Sequence, residues 1–163
     1  MENKGIIIAL DINNLRLLSL RNNLERMGVK NTIIYQKDAR FVSDLGIKFD
    51  KILLDAPCSG NFAADGKWLE KRTLEDIKNI SKVQKQLIAA AVEVLKENGE
   101  LVYSTCSLEP EEDEFIVDWA LNEFPELKKQ LKEHRTKNHD LVLKESEQMK
   151  KHGLRKFVQK KFK

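Results

Sequence analysis

Short apolar runs alternate with longer amphipathic stretches along most of this chain, and this alternation limits the folds that it can adopt. The runs at residues 5–10, 32–35, 49–54 and 101–104 have the length and composition of buried strands. Stretches with helical spacing lie between them. Strands that alternate with helices favour a mostly parallel sheet with helices on both faces. We therefore predict an α/β fold.

Capping and helix-terminating residues set the limits of the predicted helices. Asn13 or Asn14 can cap a first helix, which Gly28 ends. Thr73 can cap a second helix, with Asp76 at the capping-box position. A third helix is predicted at residues 110–122, where Pro110 and the acids beside it suit a positive helix N-terminus.

The two cysteines follow two different predicted strands. Cys58 comes after residues 49–54, with Asp55 three positions before it, and Cys106 comes after residues 101–104. Ligands of open α/β sheets bind at the carboxyl ends of the strands. A free cysteine is often a small buried hydrophobe, but a nearby helix start can favour its thiolate. Two thiols and a carboxylate suit attack on an activated ring carbon.

Other chemistries have less support. The chain has no Cys-x-x-Cys pair, and its histidines (His134, His139 and His152) all lie near the C-terminus, so we predict neither a metal site nor a Cys–His hydrolase. Two cysteines alone imply no disulfide framework, which favours a reducing, cytoplasmic location. No apolar run is long enough to span a bilayer, and no secretory signal is visible.

Two further aspartates end predicted strands. Asp11 precedes the first helix, where a carboxylate either reaches ribose hydroxyls or caps the helix. Arg16 either supports that carboxylate or is an ordinary surface arginine. Asp38 follows the second strand, where it either accepts from an adenine amino group or serves a turn.

The charge is distributed unevenly. The whole chain carries +3, whereas residues 128–163 carry about +9, which leaves the preceding part about −6. A basic tail is typical either of a polyanion partner or of a solvated terminus. Within it, residues 141–143 are a possible strand, and an apolar spacing that includes Leu154 and Phe162 predicts a short basic helix. We predict one domain at residues 1–127 and a tail at 128–163.

The segments Asp55-Ala56-Pro57-Cys58-Ser59-Gly60 and Ser104-Thr105-Cys106-Ser107, the latter followed by Glu109-Pro110-Glu111-Glu112, resemble those of RNA cytosine-5 methyltransferases. This family includes bacterial rRNA enzymes, archaeal tRNA enzymes and the eukaryotic NOL1/NOP2/sun proteins. The resemblance runs from about Ile6 to Phe124 and is strongest to archaeal members. It implies a Rossmann-like methyltransferase sheet, S-adenosyl-L-methionine as the cofactor and tRNA or rRNA as the substrate.

The resemblance also implies roles for individual residues. Cys106 would attack carbon 6 of cytosine, Asp55 would hold the pyrimidine edge, and Cys58 would assist release. Asp11, Arg16, Asp38, Asp55 and Pro57 would lie on the cofactor side. Lys67 and Trp68 would meet RNA through phosphate contact and stacking, or belong to an ordinary loop.

The chain departs from the family pattern at both ends. The family has a central strand and a Gly-rich cofactor loop before the matched region, and a final strand pair after it. Without the central strand, two strand edges would be unpaired, so we expect either a second chain that completes the sheet or a truncated product. The alternative functions are a non-catalytic, RNA-binding remnant of such an enzyme and a thiol redox protein.

Overall fold

The computed structural model describes residues 1–60, 66–127 and 160–162. The chain divides into two compact units, Met1–Ile47 and Lys48–Lys163. Each unit is described separately below.

The first unit is a strand–helix–strand element. Strand β1 (Ile7–Asp11) pairs in parallel with β2 (Thr32–Gln36), with Ile7 opposite Thr32 and Asp11 opposite Gln36. Helix α1 (Asn14–Arg26) connects them, and a 3-10 helix (Ala39–Leu45) follows β2. The predicted start and stop of α1 are confirmed. The Asn13 side chain caps it, and Gly28, at φ +67°, takes the left-handed conformation beyond its end.

The apolar spacing of α1 was less informative than its caps. Leu17 is the buried residue of this helix, whereas Leu15 and Leu18 are 73% and 53% exposed. Val42, in the 3-10 helix, is the other buried apolar residue of this unit among the described residues. The first unit therefore has a small core.

The second unit is built on a longer parallel pair. Strand β3 (Phe49–Asp55) lies beside β4 (Leu95–Ser104). Between them are a one-turn helix α2 (Trp68–Lys71) and the long helix α3 (Leu74–Val94); helix α4 (Glu114–Glu123) follows β4. Strand β5 (Lys160–Phe162) pairs with β4 in the antiparallel direction.

Local sequence explains how α3 begins and how β4 is shaped. The predicted capping box is present, because Thr73 accepts from the backbone of Asp76, whose side chain accepts from the backbone of Thr73. At the start of β4 the register with β3 shifts, and Asn98 adopts φ +60°. Gly99 has no room for a Cβ, which would lie 2.8 Å from the Lys96 carbonyl oxygen. The Asn98-Gly99 pair, a sequence typical of a turn, is thus an irregularity within β4.

The core of the second unit lies between α3, α4 and the sheet. Its most deeply buried apolar members are Ile77, Ile88, Val94, Leu101, Tyr103, Ile116, Ala120 and Leu127. Leu74 in α3 and Phe115 in α4 are exposed.

The α/β prediction is confirmed, but the described strands form two separate sheets. β1 has only β2 beside it, and β3 has only β4, among these strands. One edge of each is therefore unpaired within the described part of the chain. The predicted helix that includes Phe162 is wrong at that residue, because Lys160–Phe162 is a strand. The other predictions for residues 128–159 lie outside the described residues, and the boundary at 127 stays a prediction.

Candidate active site

The candidate site forms where β3 and β4 end together. Asp55 and Ser104 are the last paired residues of these parallel strands. The Ser104 hydroxyl donates to Asp55 Oδ1 at 3.0 Å, and the Ala56 N–H donates to the Ser104 carbonyl at 2.9 Å. The loops that carry the two cysteines therefore leave the sheet from adjacent points.

The structure brings Cys58 and Cys106 together. Their Cα atoms lie 6.3 Å apart and their sulfur atoms are joined as a disulfide. This corrects the expectation that the cysteines imply no disulfide. Because the parallel strands end side by side, residues a few positions beyond each end reach the Cα separation of about 4.4–6.8 Å that a disulfide needs.

Exposure differs among the three predicted catalytic residues. Cys106 and Asp55 are exposed, and Cys58 is half-buried. Neither cysteine lies at a helix start, since the next described helices begin at Trp68 and Glu114. The expectation that a helix dipole favours the thiolates therefore gains no support from a helix that begins directly after either cysteine.

A buried carboxylate lies directly behind the two cysteine loops. Glu112 has no exposed surface, and its side chain accepts from the Ser59 N–H, the Ser107 hydroxyl and the Gln84 amide. The sequence predicted this acid in the first turn of a helix over residues 110–122. Helix α4 begins only at Glu114, and Glu112 lies in the turn before it. The only sequence feature that relates to this burial is a serine directly after each cysteine, because these two serines supply hydrogen-bond donors to Glu112.

Other side chains fix the backbone around this cluster. The Tyr103 hydroxyl donates to the Glu112 carbonyl at 2.7 Å. Burial, together with the acids Asp113 and Glu112, raises the pKa of Tyr103 well above its usual value, so it stays a donor. Thr105, between the strand end and Cys106, donates to Asp113 at 2.7 Å.

Trp68 does not have the role that the resemblance implies. It is buried, and its indole N–H donates to the Ser59 carbonyl at 2.8 Å. Its ring is therefore part of the protein interior and is not free to stack on an RNA base. Lys67 is exposed.

In the first unit, Asp11 and Arg16 form a pair. Arg16 donates to both carboxylate oxygens of Asp11, each at 2.9 Å, and the Asn13 N–H donates to Asp11 at 2.7 Å. Of the two interpretations of Arg16, the structure supports the one in which it orients this carboxylate. Helix α1 itself is capped by Asn13.

Asp38 is held in a similar way at the end of β2. Its carboxylate caps the 3-10 helix and pairs with the Arg40 guanidinium at 2.6 Å. The hydrogen bonds from Arg40 hold the pKa of Asp38 below its usual value. Because β1 and β2 are parallel, Asp11 and Asp38 lie at the same edge of their sheet.

The described residues were predicted to hold no metal and to span no membrane. They contain no group of three or more His, Cys, Asp or Glu side chains that could hold a metal ion. None of their helices combines the length and the apolar character that crossing a bilayer requires.

Comparison with known proteins places these features in a family. A family model described as 16S rRNA methyltransferase RsmB/F matches residues 1–158. The tRNA (cytosine(72)-C(5))-methyltransferase of Pyrococcus horikoshii is 45% identical over 130 residues, covering 80% of this chain and 33% of that protein. The human 28S rRNA (cytosine(4447)-C(5))-methyltransferase is 42% identical, covering 74% of this chain and 16% of that one.

Solved structures give the same result. NSun6 from Pyrococcus horikoshii, crystallised with SFG, has a TM-score of 0.68 and 47% sequence identity, and the match covers 75% of this chain and 32% of that one. A methyltransferase homologue from the same organism has a TM-score of 0.67 and 48% identity, covering 76% and 39%. The chain thus spans about a third or less of the length of the curated relatives described here.

Proposed function

Because this chain belongs to the RsmB/F family of RNA methyltransferases, we propose that it carries the catalytic site for methylation of carbon 5 of cytosine in tRNA or rRNA. S-adenosyl-L-methionine would supply the methyl group. The single observation that carries the proposal is the meeting of Cys58, Cys106 and Asp55 at adjoining strand ends.

The proposed reaction begins at Cys106. Its sulfur, as the thiolate, forms a bond to carbon 6 of the cytosine ring, and the electron pair moves toward carbon 5, which then takes the methyl group. Asp55, at the strand end, holds the pyrimidine edge near nitrogen 3 and stabilises the charge that develops there. The exposed position of Cys106 supports this role, since a nucleophile for a base in RNA must be reachable.

Release needs a second group. Cys58 takes the proton from carbon 5, the electron pair restores the ring double bond, and the Cys106 sulfur leaves as a thiolate. Both cysteines must be reduced for these reaction steps, so the disulfide-bonded form would be inactive as a methyltransferase. A reductant that donates two electrons and two protons converts it to the two thiols.

Carboxylates of the first unit fit the donor groups of a nucleoside. Asp11 and Asp38 keep part of their side chains exposed and are each held by an arginine. We propose that Asp11, supported by Arg16, accepts from ribose hydroxyls and that Asp38 accepts from the adenine amino group. Asp55 and Pro57 would line the cofactor side near the second unit's strand ends.

Covalent trapping tests the proposal. In reductant, RNA that contains 5-fluorocytosine is incubated with the chain and S-adenosyl-L-methionine, and covalent complexes are counted by denaturing electrophoresis. Fluorine replaces the proton that must leave, so the complex should accumulate. Cys106→Ala should abolish it and Cys58→Ala should retain it. If the unaltered chain binds S-adenosyl-L-methionine, absence of any complex contradicts the proposal.

We further propose that a second polypeptide segment completes the sheet. Among the described strands, β1 and β3 are each paired on one side only, and Leu53 on β3 is 70% exposed. Thermal-shift titration with S-adenosyl-L-methionine tests whether the chain alone suffices. A shift that Asp11→Asn weakens supports binding by this chain alone, whereas no shift at high ligand favours the need for a partner.

The disulfide favours one second candidate, a thiol redox function. Cys58 and Cys106 would pass two electrons and two protons to a small disulfide, which becomes two thiols, as they form their own disulfide. Two results would favour this candidate: a reduction potential poised near that of the cellular thiol pool, and no RNA trapping by the reduced chain.

A further inference from the structure

Glu112 binds the residue that follows each cysteine. The Ser59 N–H, directly after Cys58, donates to both oxygens of Glu112, at 3.0 and 3.3 Å. The Ser107 hydroxyl, directly after Cys106, donates to the same carboxylate at 3.0 Å. One side chain therefore connects two loops that are about fifty residues apart in sequence.

Gln84 completes the connection from helix α3. Its amide nitrogen donates to Glu112 at 2.9 Å and to the Pro57 carbonyl at 2.8 Å. Pro57 directly precedes Cys58, so the backbone is held on both sides of this cysteine. Gln84 and Glu112 have no exposed surface.

The Cys106 loop has its own links to the same group. Ser107 Oγ lies 3.4 Å from Ser59 Oγ and accepts from the Glu109 N–H at 3.1 Å. The Glu112 backbone is fixed in turn by the Tyr103 hydroxyl. Every donor around the carboxylate thus belongs to a cysteine loop or to a buried neighbour that holds one.

Burial of a carboxylate is unfavourable unless its oxygens accept several hydrogen bonds. A core built only for stability would use a well-packed apolar residue in this place. The donors that Glu112 satisfies instead lie next to the two sulfur atoms. This placement indicates that Glu112 fixes the relative position of the two cysteines.

We propose that Glu112 is a positioning residue that sets the spacing of Cys58 and Cys106, with Gln84 as its support. The consequence of this spacing for methylation rests on the proposed function, in which the sulfur atoms of Cys106 and Cys58 act on the same cytosine ring. The spacing itself does not depend on that function.

Thiol–disulfide exchange measures this spacing without RNA or cofactor. The reduced chain and one oxidised glutathione give the Cys58–Cys106 disulfide and two reduced glutathiones. The equilibrium constant is the effective concentration of one thiol at the other. Full-length chain is titrated with glutathione mixtures, and the two forms are counted by mass after alkylation.

Glu112→Gln is the main variant. It keeps the side-chain shape but replaces one acceptor with an amide that must face the donors of Ser59, Ser107 or Gln84. We expect the effective concentration to fall about tenfold or more, in line with the loss of charged, buried hydrogen bonds. Glu111→Gln is the matched control, because Glu111 is the preceding residue and its side chain makes none of these bonds; it should stay within about twofold of the unaltered chain.

A purely structural role predicts a different pattern. Glu112→Gln would then lower the melting temperature but leave the effective concentration unchanged in the folded chain, and that result would overturn the proposal. If Glu112→Gln does not fold, Gln84→Met and Ser107→Ala remove fewer hydrogen bonds. Each should lower the effective concentration by a few fold, and no change in either overturns the proposal.

Single-turnover methylation links the spacing to the reaction. Glu112→Gln should slow the rate at saturating RNA while the apparent Kd for RNA stays within about twofold, since Glu112 has no exposed surface with which to contact RNA. If the unaltered chain binds S-adenosyl-L-methionine but methylates no RNA, the proposed function fails, and the glutathione measurement still decides the role of Glu112.

Discussion

The two units of this chain hold the carboxylates of their proposed sites in different ways. In the first unit, Asp11 and Asp38 are each held by a neighbouring arginine at the surface. In the second unit, Glu112 is fully buried and is held by side chains from separate elements. Both units use parallel strands that end near acidic groups. The difference lies in how much core surrounds each strand pair.

Core size explains the difference. Among the described residues, the first unit buries Leu17 and Val42, whereas the buried polar residues, Glu112 and Gln84 among them, all lie in the second. A buried polar cluster needs rigid walls that keep its hydrogen bonds aligned. A surface carboxylate needs only a local partner, and solvent screening weakens the interaction between the two. The core of the second unit therefore keeps the hydrogen bonds of Glu112 aligned, whereas the first unit leaves the carboxylate oxygens of Asp11 and Asp38 partly exposed as acceptors.

The largest expected loss of stability comes from truncating a core side chain, and it tests whether the cores of the two units differ in size. Ile88→Ala in helix α3, at 1% exposure, should lower the free energy of unfolding by about 2–5 kcal/mol, because a cavity remains in a closely packed interior. Leu17→Ala in α1 should fall near the lower end of that range, about 2 kcal/mol, since the few atoms around it can relax. Urea denaturation followed by circular dichroism measures both.

An exposed leucine provides the control for the core variants. Leu53→Ala on β3, at 70% exposure, should change the free energy of unfolding by less than about 0.5 kcal/mol. Equal losses for Ile88→Ala and Leu17→Ala would contradict the view that the two cores differ.

The two tyrosines test the buried cluster. Tyr103→Phe removes the donor to the Glu112 carbonyl and should destabilise the chain by about 1–2 kcal/mol. Tyr35→Phe, at an exposed position in the first unit, should change the stability by less than about 0.5 kcal/mol. Both losses are read from the same urea titrations. If the two variants lose the same stability, the Tyr103 hydrogen bond contributes little.

Helix caps should behave alike in the two units. Asn13→Ala removes the cap of α1, and Thr73→Ala removes the cap of α3. Each should lower the free energy of unfolding by about 1 kcal/mol, because capping depends on local backbone donors and little on the core. Thermal melts with fixed heating rate measure both, and Asn13→Ser and Thr73→Ser, which retain a capping oxygen, are the controls. A large difference between the two losses would show that the surrounding unit, and not the cap alone, decides the effect.

The sequence predicted the features that depend on local signals. The caps at Asn13 and Thr73, the strand order along the chain and the convergence of Cys58 with Cys106 follow from spacing and from the parallel arrangement of strands. The role of Glu112 did not follow, because an acid before a helix usually serves the helix dipole. Its burial depends on Gln84 and Ser59, which are distant in sequence. The burial of Trp68 did not follow for the same reason, since its partner is the Ser59 carbonyl.

The smallest expected effect concerns the surface carboxylates themselves. Arg40 holds the pKa of Asp38 below its usual value, so this pairing stabilises the folded chain above the unfolded pKa of about 3.9 and its contribution is lost as the pH falls through the lower, folded value. Arg40→Gln should therefore raise the pKa of Asp38 toward the usual value. Carboxyl carbon shifts followed by NMR between pH 2 and 6 (about the range that carboxylates titrate in) measure it. Asp50 in the second unit is the internal control: its pKa is lowered by Lys96, so Arg40→Gln should leave it unchanged. If Asp50 shifts as well, the effect of Arg40 is a long-range change in charge and not a local hydrogen bond. If Asp38 keeps its low pKa, the argument that the first unit's acceptors depend on single arginine partners is wrong.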